Sequence, residues 1–278
     1  MDYRFGVSLR AVDGQFAAKC RRAEELGYDV ITIPDHLGAP APFPAIVAAA
    51  AATGRTHVGP LVLNAPFYNP ALLARDVEST VQLTGGRFEL GVGSGHMKRE
   101  FDDAGLPWWP AKQRIAYLES TLTELRERLP ELPPLLIAGN SDGVLSLAAR
   151  QADIIGFAGL KQAPGEPPGT FDLATADELA ERVAFVRGQA ERELEFNMLI
   201  QKVVAQEDPR AELDSWLPGY GADDLLAAPQ IFAGPVEHIA EQVQRRRERF
   251  GFTYYTVFEP AMEDFAPVMD LVRSRPTA

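Results

Sequence analysis

Short apolar runs alternate along the chain with longer stretches in which apolar residues recur every three or four positions. The runs predict eight strands, at residues 5–9, 30–33, 58–63, 88–92, 135–138, 154–157, 196–204 and 254–258. The stretches between them predict eight helices, at residues 16–26, 45–52, 71–83, 113–129, 144–150, 179–192, 236–250 and 265–272. Strands that alternate with helices indicate a parallel sheet, and eight such repeats favour a closed (β/α)8 TIM barrel.

The alternative fold is an open, doubly wound sheet. That fold usually carries a GxGxxG fingerprint after its first strand, and the segment GVSLRAV does not match it. We therefore predict a single α/β domain over residues 1–278, a TIM barrel with short loop insertions.

Two segments interrupt the repeat. Residues 158–174 are rich in proline and glycine, which predicts either a structureless lid or binding loop, or a surface excursion. Residues 207–230 contain Trp216 and Tyr220, which fits a short helical insertion over the barrel mouth or a subunit contact.

Composition narrows the classes of function. The chain has 278 residues, and its formal net charge of −12 disfavours nucleic acid and anionic membranes as partners. The sequence has no apolar run of about 18 residues and no signal-peptide core at its start, so we expect no membrane span. The single cysteine, Cys20, fits a reducing cytoplasm. The four histidines lack metal-ligand spacing, so we expect no metal site.

Two ionisable residues follow the second predicted strand, in the segment VITIPDHLG. Catalytic groups of barrel enzymes lie at the carboxyl ends of strands, and an imidazole exchanges protons near neutral pH. Asp35 and His36 are therefore candidate catalytic residues. In the alternative interpretation Asp35 caps the loop and His36 is solvated.

Three further strand ends carry candidate ligand contacts. The segment GVGSGH ends the fourth strand and supplies Gly93, Ser94, Gly95 and His96, where missing side chains allow a flat ligand or a sharp turn. Asn64 ends the third strand and offers an amide to a heterocycle, or is only a turn residue before Pro66. Gly139, Asn140 and Ser141 open a helix, where free amides bind phosphate or a side chain caps the helix.

Four longer segments in this order resemble the bacterial luciferase-like monooxygenase superfamily, and above all its branch of F420-dependent oxidoreductases. The segments are IPDHL, NPALLARDVESTVQLTGGRFELGVGSGHMKREFDDAGLP, PPLLIAGNSDGVLSLAARQADIIGF and YYTVFEP. They cover most of the chain, so the resemblance is more specific than any one motif.

The resemblance implies a TIM barrel that binds FMN or the deazaflavin F420 at the carboxyl ends of its strands. Asp35, His36, Asn64, Ala65 and residues 93–96 would surround the ring, and residues 139–141 would meet the phosphate. The resemblance also implies a base at His36 and a non-proline cis peptide, for which Asn64–Ala65 is the candidate. Relatives are often dimers.

Three features depart from the family pattern. An extended segment before the fifth strand is missing. Gly143 and Ser146 stand where relatives carry arginine. Trp108 and Trp109 replace a smaller, more polar pair, which predicts a remodelled pocket that they wall, unless they belong to the core.

Three hypotheses follow. The first is an oxidoreductase that transfers a hydride between F420, or FMN, and a small organic substrate of secondary metabolism, with His36 as general acid or base, Asp35 supporting it and His96 as a second polar contact. The second is an FMN-dependent monooxygenase that uses oxygen. The third is a cofactor-free barrel that serves as a binding protein or non-redox catalyst.

Overall fold

The computed structural model describes residues 2–275 and contains alternating strands and helices. The strands are β1 (Arg4–Ser8), β2 (Val30–Ile33), β3 (His57–Pro60), β4 (Leu63–Asn64), β5 (Leu90–Gly93), β6 (Leu135–Ala138), β7 (Ile154–Phe157), β8 (Leu160–Gln162), β9 (Phe171–Leu173), β10 (Glu195–Leu199), β11 (Lys202–Val204), β12 (Ile231–Ala233) and β13 (Tyr254–Phe258). The helices are α1 (Phe16–Glu25), α2 (Pro42–Ala52), α3 (Pro70–Leu83), α4 (Lys98–Asp103), α5 (Ala111–Arg128), α6 (Asp142–Gln151), α7 (Ala176–Arg187), α8 (Arg210–Trp216), α9 (Ala222–Ala227), α10 (Val236–Phe250) and α11 (Met262–Ser274), with 3-10 turns at Ala65–Phe67 and Glu259–Ala261.

The main sheet is parallel throughout and runs β3-β2-β1-β13-β10-β7-β6-β5-β4. Only two residues separate β3 from β4, so these two strands are successive parts of one predicted strand. A parallel bridge between Val58 and Phe88 joins β3 to the chain just before β5, which brings the two edges of the sheet together. The predicted (β/α)8 barrel is therefore confirmed.

Apolar side chains from both faces of the strands and from the inner faces of the surrounding helices form one large core. Local sequence fixes where the helices begin. Asn69 accepts hydrogen bonds from the backbone amides of Ala71 and Leu72 at the start of α3, and Thr175 forms a capping box with Glu178 at the start of α7. These caps orient the loops that lead from the strand ends into the helices.

Both interrupting segments are ordered and pack on each other. Residues 158–174, expected to be structureless, form the β8–β9 hairpin, so that expectation was wrong. Residues 207–230 contain α8 and α9, which confirms a helical insertion. A second apolar cluster joins the hairpin to the insertion, and the Tyr220 hydroxyl accepts a hydrogen bond from the Leu173 amide at 3.2 Å. The predicted strand at 196–204 is split, because β11 leaves the barrel and pairs with β12.

Candidate active site

A cavity of about 270 Å³ opens where the barrel strands end. One half of its lining comes from the segment after β2, from β4 and the two residues before it, and from the end of β5 through α4. The other half comes from the ends of β6, β7 and β10 and from the start of the hairpin. The lining residues are Asp35, His36, Leu61, Val62, Leu63, Asn64, Gly93, Ser94, Gly95, His96, Glu100, Ala138, Gly156, Phe157, Ala158, Leu160, Asn197, Leu199 and Gln201. Asp35, His36, His96, Asn64 and residues 93–95, all predicted from the sequence, are therefore brought together.

His36 is held by a carboxylate that the sequence analysis missed. Its Nδ1 lies 2.9 Å from Oε1 of Glu100, and the two side chains are 32% and 11% exposed. A carboxylate can only accept, so this geometry favours the tautomer in which Nδ1 donates and Nε2 carries the lone pair. The arrangement leaves Nε2 free to take a proton from a ligand in the cavity.

Glu100 reaches this position because α4 is short and turns two consecutive residues inward. Glu100 and Phe101 are both buried, while the lysine, arginine and aspartates of the same helix pair on its exposed side. Phe101 packs edge-on against Phe67 and Trp108, which anchors the helix. The one sequence signal that could have indicated Glu100 is its position next to the apolar residue Phe101.

Asp35 supports the backbone and does not hydrogen-bond to His36. Its Oδ2 accepts a hydrogen bond from the Asn64 amide at 2.9 Å and from the Tyr68 hydroxyl at 3.1 Å. Burial raises the pKa of the Asp35 carboxyl, and these two donors and His36 act against that rise. Glu100, and not Asp35, is therefore the hydrogen-bond partner of His36, and electrostatic support of His36 by Asp35 stays a prediction. Asp35 still contributes negative charge close to the imidazole.

His96 stands beside His36 at the rim. The two rings meet edge-on with centroids 5.6 Å apart, and Phe171 of the hairpin lies 5.3 Å from His96 on another side. Loss of hydration in the concave mouth, and then the charges of His36 and Arg114, lower the pKa of His96 to about 4. Water still reaches this ring at the rim. His96 is therefore a neutral polar contact near pH 7.

Asn64 presents an unpaired acceptor. Its side-chain Oδ1 is buried and has no hydrogen-bond partner, although the residue lines the cavity. Ala65 follows it in a 3-10 turn, is fully buried and does not line the cavity. The non-proline cis peptide is Leu61–Val62, so its predicted placement at Asn64–Ala65 was wrong. Leu61 and Val62 both lie in the cavity wall.

Neighbouring protein atoms account for the glycines within and just after β5. A Cβ on Gly91 would overlap the carbonyl oxygen of Pro60, and one on Gly93 would lie 3.0 Å from a methyl group of Val62. Gly95 has a φ of +76°, and a Cβ there would overlap Oδ1 of Asn64. The glycines thus let β5 approach the chain around Leu61–Val62, in addition to leaving Gly93 and Gly95 open to the cavity.

Residues 139–141 lie beside the cavity, and only Ala138 before them reaches its wall. The Asn140 side-chain amide donates to the carbonyl of Leu160, and Ser141 caps α6. The first residue of α6 is Asp142, which pairs with Arg182 at 2.5 Å. An acidic first turn opposes an anion at this helix end, so the phosphate contact at Gly139, Asn140 and Ser141 stays a prediction.

The two tryptophans lie one layer behind the cavity. Trp108 packs on Phe101 at 4.9 Å and carries the guanidinium of Arg114 at 3.7 Å from its ring centroid. Trp109 packs on Tyr117 at 5.3 Å. Neither tryptophan lines the cavity, so of the two alternatives the structure favours packing against other side chains over a pocket wall. They support α4 and the start of α5 from outside.

Two negative findings hold for residues 2–275. This part of the chain contains no group of three or more histidine, cysteine, aspartate or glutamate side chains placed to hold a metal ion. It also contains no helix long and apolar enough to cross a membrane.

Fold and site together define a (β/α)8 barrel with a ligand cavity at the carboxyl ends of its strands. Residues 14–127 match the family model described as luciferase-like monooxygenase, which confirms the resemblance inferred from the sequence. An F420-dependent glucose-6-phosphate dehydrogenase of Amycolatopsis mediterranei is 36% identical over 115 residues. The match covers 38% of this chain and 34% of that relative, so it extends over about a third of the relative's length.

Solved structures match nearly the whole chain at low identity. An F420-dependent secondary alcohol dehydrogenase in complex with an F420–acetone adduct superposes with a TM-score of 0.76 and 17% identity, covering 99% of this chain and 100% of the other. A riboflavin lyase with modified FMN and riboflavin superposes with a TM-score of 0.75 and 14% identity, covering 99% and 92%. At this identity the likeness establishes the fold.

Proposed function

We propose that this protein is an oxidoreductase that uses the deazaflavin F420, with FMN as the alternative, and acts on a small organic substrate. The observation that carries the proposal is that the His36–Glu100 pair and the unpaired side-chain oxygen of Asn64 belong to one cavity. The F420-dependent relatives and the fold they share support the choice of F420.

The residues present fit a flavin-type ring. Leu61, Val62 and Leu63 give an apolar wall, and Gly93, next to Val62, adds backbone without a side chain, so a flat ring can lie close to it. The unpaired Oδ1 of Asn64 is an acceptor that a protein rarely leaves buried without a donor, and an N–H group at a ring edge would satisfy it. When bound, the cofactor supplies the hydride acceptor or donor, while the protein orients the ring and excludes water.

His36 is the proton-transfer group in this proposal. With Nδ1 held by Glu100, its Nε2 takes the hydroxyl proton of an alcohol as the hydride leaves carbon, or returns it in the reverse direction. Glu100 positions the imidazole of His36 and stabilises the imidazolium that forms when His36 takes the proton. His96 stays neutral beside it and does not compete for the proton.

Equilibrium titration with F420 and, separately, with FMN tests the proposal. We expect F420 to bind with micromolar affinity or better and Asn64→Leu to weaken binding by about tenfold, since the N–H group of the ring would lose its acceptor. Tighter binding of FMN, together with oxygen consumption coupled to substrate oxidation, would favour the monooxygenase alternative. Binding of neither ring would favour a cofactor-free barrel.

We further propose a cytoplasmic homodimer. Cys20 is buried and unpaired, as in proteins of reducing compartments. Leu72 and Leu83 of α3 are 53% and 67% exposed, which offers apolar surface to a second copy. Light scattering after size exclusion should give twice the chain mass, and Leu83→Glu should shift it toward the monomer.

A further inference from the structure

The cavity contains a second unpaired acceptor on the side away from His36. Asn197 lies in β10 and is 1% exposed; its Nδ2 donates to the Thr256 hydroxyl at 2.9 Å, while its Oδ1 has no partner. The amide therefore turns its Nδ2 toward Thr256 and leaves Oδ1 as the unpaired atom. A buried carbonyl without a donor is unfavourable, so a ligand that supplies a donor gains affinity on binding.

The wall around Asn197 is neutral. It consists of small, apolar or amide residues, namely Ala138, Gly156, Phe157, Ala158, Leu160, Leu199 and Gln201. Gln201 donates its amide hydrogens to the carbonyls of Ala158 and Leu199. This half of the cavity therefore recognises an uncharged molecule.

The cavity as a whole lacks a cation for an anionic ligand. Its ionisable lining residues among those described are two carboxylates, Asp35 and Glu100, and two histidines, of which His36 pairs with Glu100. Arg114 stacks on Trp108 behind the wall and donates to the carbonyl of Trp109. A phosphate or carboxylate here would lose its hydration without a charged partner and would face two carboxylates.

We infer that the substrate is a compact, uncharged molecule that carries a hydroxyl or N–H donor for Asn197 in addition to the group that reacts at His36. Sugar phosphates, for which the F420-dependent relatives are named, would be excluded. The volume of about 270 Å³ lies at the lower end for ligand cavities, and a cofactor ring would occupy part of it, which restricts the substrate to a small molecule. This inference rests on the proposed function, because that function places the reacting group at His36.

Three ring compounds of similar size test the inference. Cyclohexane-1,4-diol has a second donor, 4-methoxycyclohexanol has that donor masked, and 4-hydroxycyclohexanecarboxylate carries a negative charge. Their dissociation constants would be measured by ligand-observed NMR on the full chain, with and without saturating cofactor. We expect the diol to bind about tenfold more tightly than either analogue.

Two variants separate recognition from folding. Asn197→Leu should abolish the preference for the diol over the ether while leaving cofactor affinity within about twofold. Leu199→Lys should improve carboxylate binding by about tenfold, because it adds a cation to the wall. Should Asn197→Leu fail to fold, by near-ultraviolet circular dichroism, Thr256→Val serves instead, since it releases the amide and should reduce the preference.

The inference is overturned if the carboxylate binds the unmodified protein as tightly as the diol, if the three compounds bind equally, or if folded Asn197→Leu keeps the preference for the diol. Loss of cofactor affinity in Asn197→Leu would assign Asn197 to the ring and would also overturn it. Failure of the proposed function appears separately, as absence of F420 and FMN binding in the cofactor titration.

Discussion

Removing the carboxylate behind His36 should slow turnover without unfolding the protein. Glu100 holds Nδ1 of His36 at 2.9 Å, and a hydrogen bond to a charged group contributes about 1.5–3 kcal/mol. His36 is 32% exposed, so water competes and the lower end of that range applies. A loss of about 1.4 kcal/mol corresponds to a roughly tenfold fall in rate.

Two substitutions at this position should differ. Glu100→Gln can still accept from Nδ1 through its carbonyl oxygen, so we expect kcat/KM to fall by about tenfold through loss of charge alone. Glu100→Leu removes the acceptor and frees the ring to rotate, so we expect a fall of about 100-fold. Cofactor affinity and near-ultraviolet circular dichroism should stay close to those of the unmodified protein in both variants.

A double-mutant cycle decides whether Glu100 acts through His36. His36→Ala alone should reduce kcat/KM by about 10²–10⁴-fold. If Glu100 only positions and stabilises His36, then adding Glu100→Leu to His36→Ala should cost nothing further. Additive losses in the double variant would refute the assignment, as would full activity of Glu100→Leu.

Three further predictions concern stability and protonation. Gly91→Ala should lower the free energy of unfolding, measured by urea titration, by at least about 1–3 kcal/mol, because the added Cβ would overlap the Pro60 carbonyl. Gly14→Ala is the control and should be nearly neutral, because nothing lies within 4 Å of a Cβ at that position. Equal effects of the two substitutions would contradict the packing described. The pKa of His96, measured by NMR titration, should lie well below its usual range, so between about pH 4 and 6.5 the folded chain binds fewer protons than the unfolded chain. The contribution of His96 to the free energy of unfolding should therefore fall as the pH drops through that window, and His96→Gln should remove this pH dependence. A measured pKa of 6.5 or above for His96 would contradict the prediction. Asp35→Ala should lower the free energy of unfolding by about 1–3 kcal/mol, since two donors lose their acceptor, whereas Asp35→Asn keeps an acceptor and should retain most of the stability. Equal losses in the two variants would show that charge, not hydrogen bonding, matters there.

The barrel was predictable because each of its strands is buried on both faces and each helix on one. Those two burial patterns give continuous apolar runs and a 3.6-residue period, which the sequence displays directly. The strand predicted at 196–204 shows the limit of this reasoning. The apolar run continues past Leu199, although β11 pairs with β12 outside the barrel. A continuous apolar run does not indicate which strand it will pair with.

The hairpin at 158–174 was missed because its strands are three residues long and lie within a segment rich in proline and glycine. Its order comes from tertiary contacts. Gln230 is fully buried and donates to the carbonyls of Gly159 and Ala174, which ties both ends of the hairpin to the helical insertion. Contacts between segments so far apart leave no local signal in the sequence.

The sequence indicated which residues gather at the candidate site better than it indicated which of them contact each other. His36 and Asn64 could be placed because strand ends converge on one face of a barrel. The partner of His36 could not, since Glu100 lies 64 residues away and is one of several charged residues in KREFDDAG. Asp35 is adjacent in sequence, but its side chain turns to Asn64 and Tyr68.

Single-turnover reduction of bound F420 by a small, uncharged secondary alcohol, followed by absorbance without oxygen, tests the central claim most directly. The His36 assignment predicts rapid reduction in the unmodified protein and a rate lower by about 10²–10⁴-fold in His36→Ala, with F420 affinity unchanged. Reduction at the same rate in both proteins, or none in the unmodified protein with any alcohol despite bound F420, would contradict it.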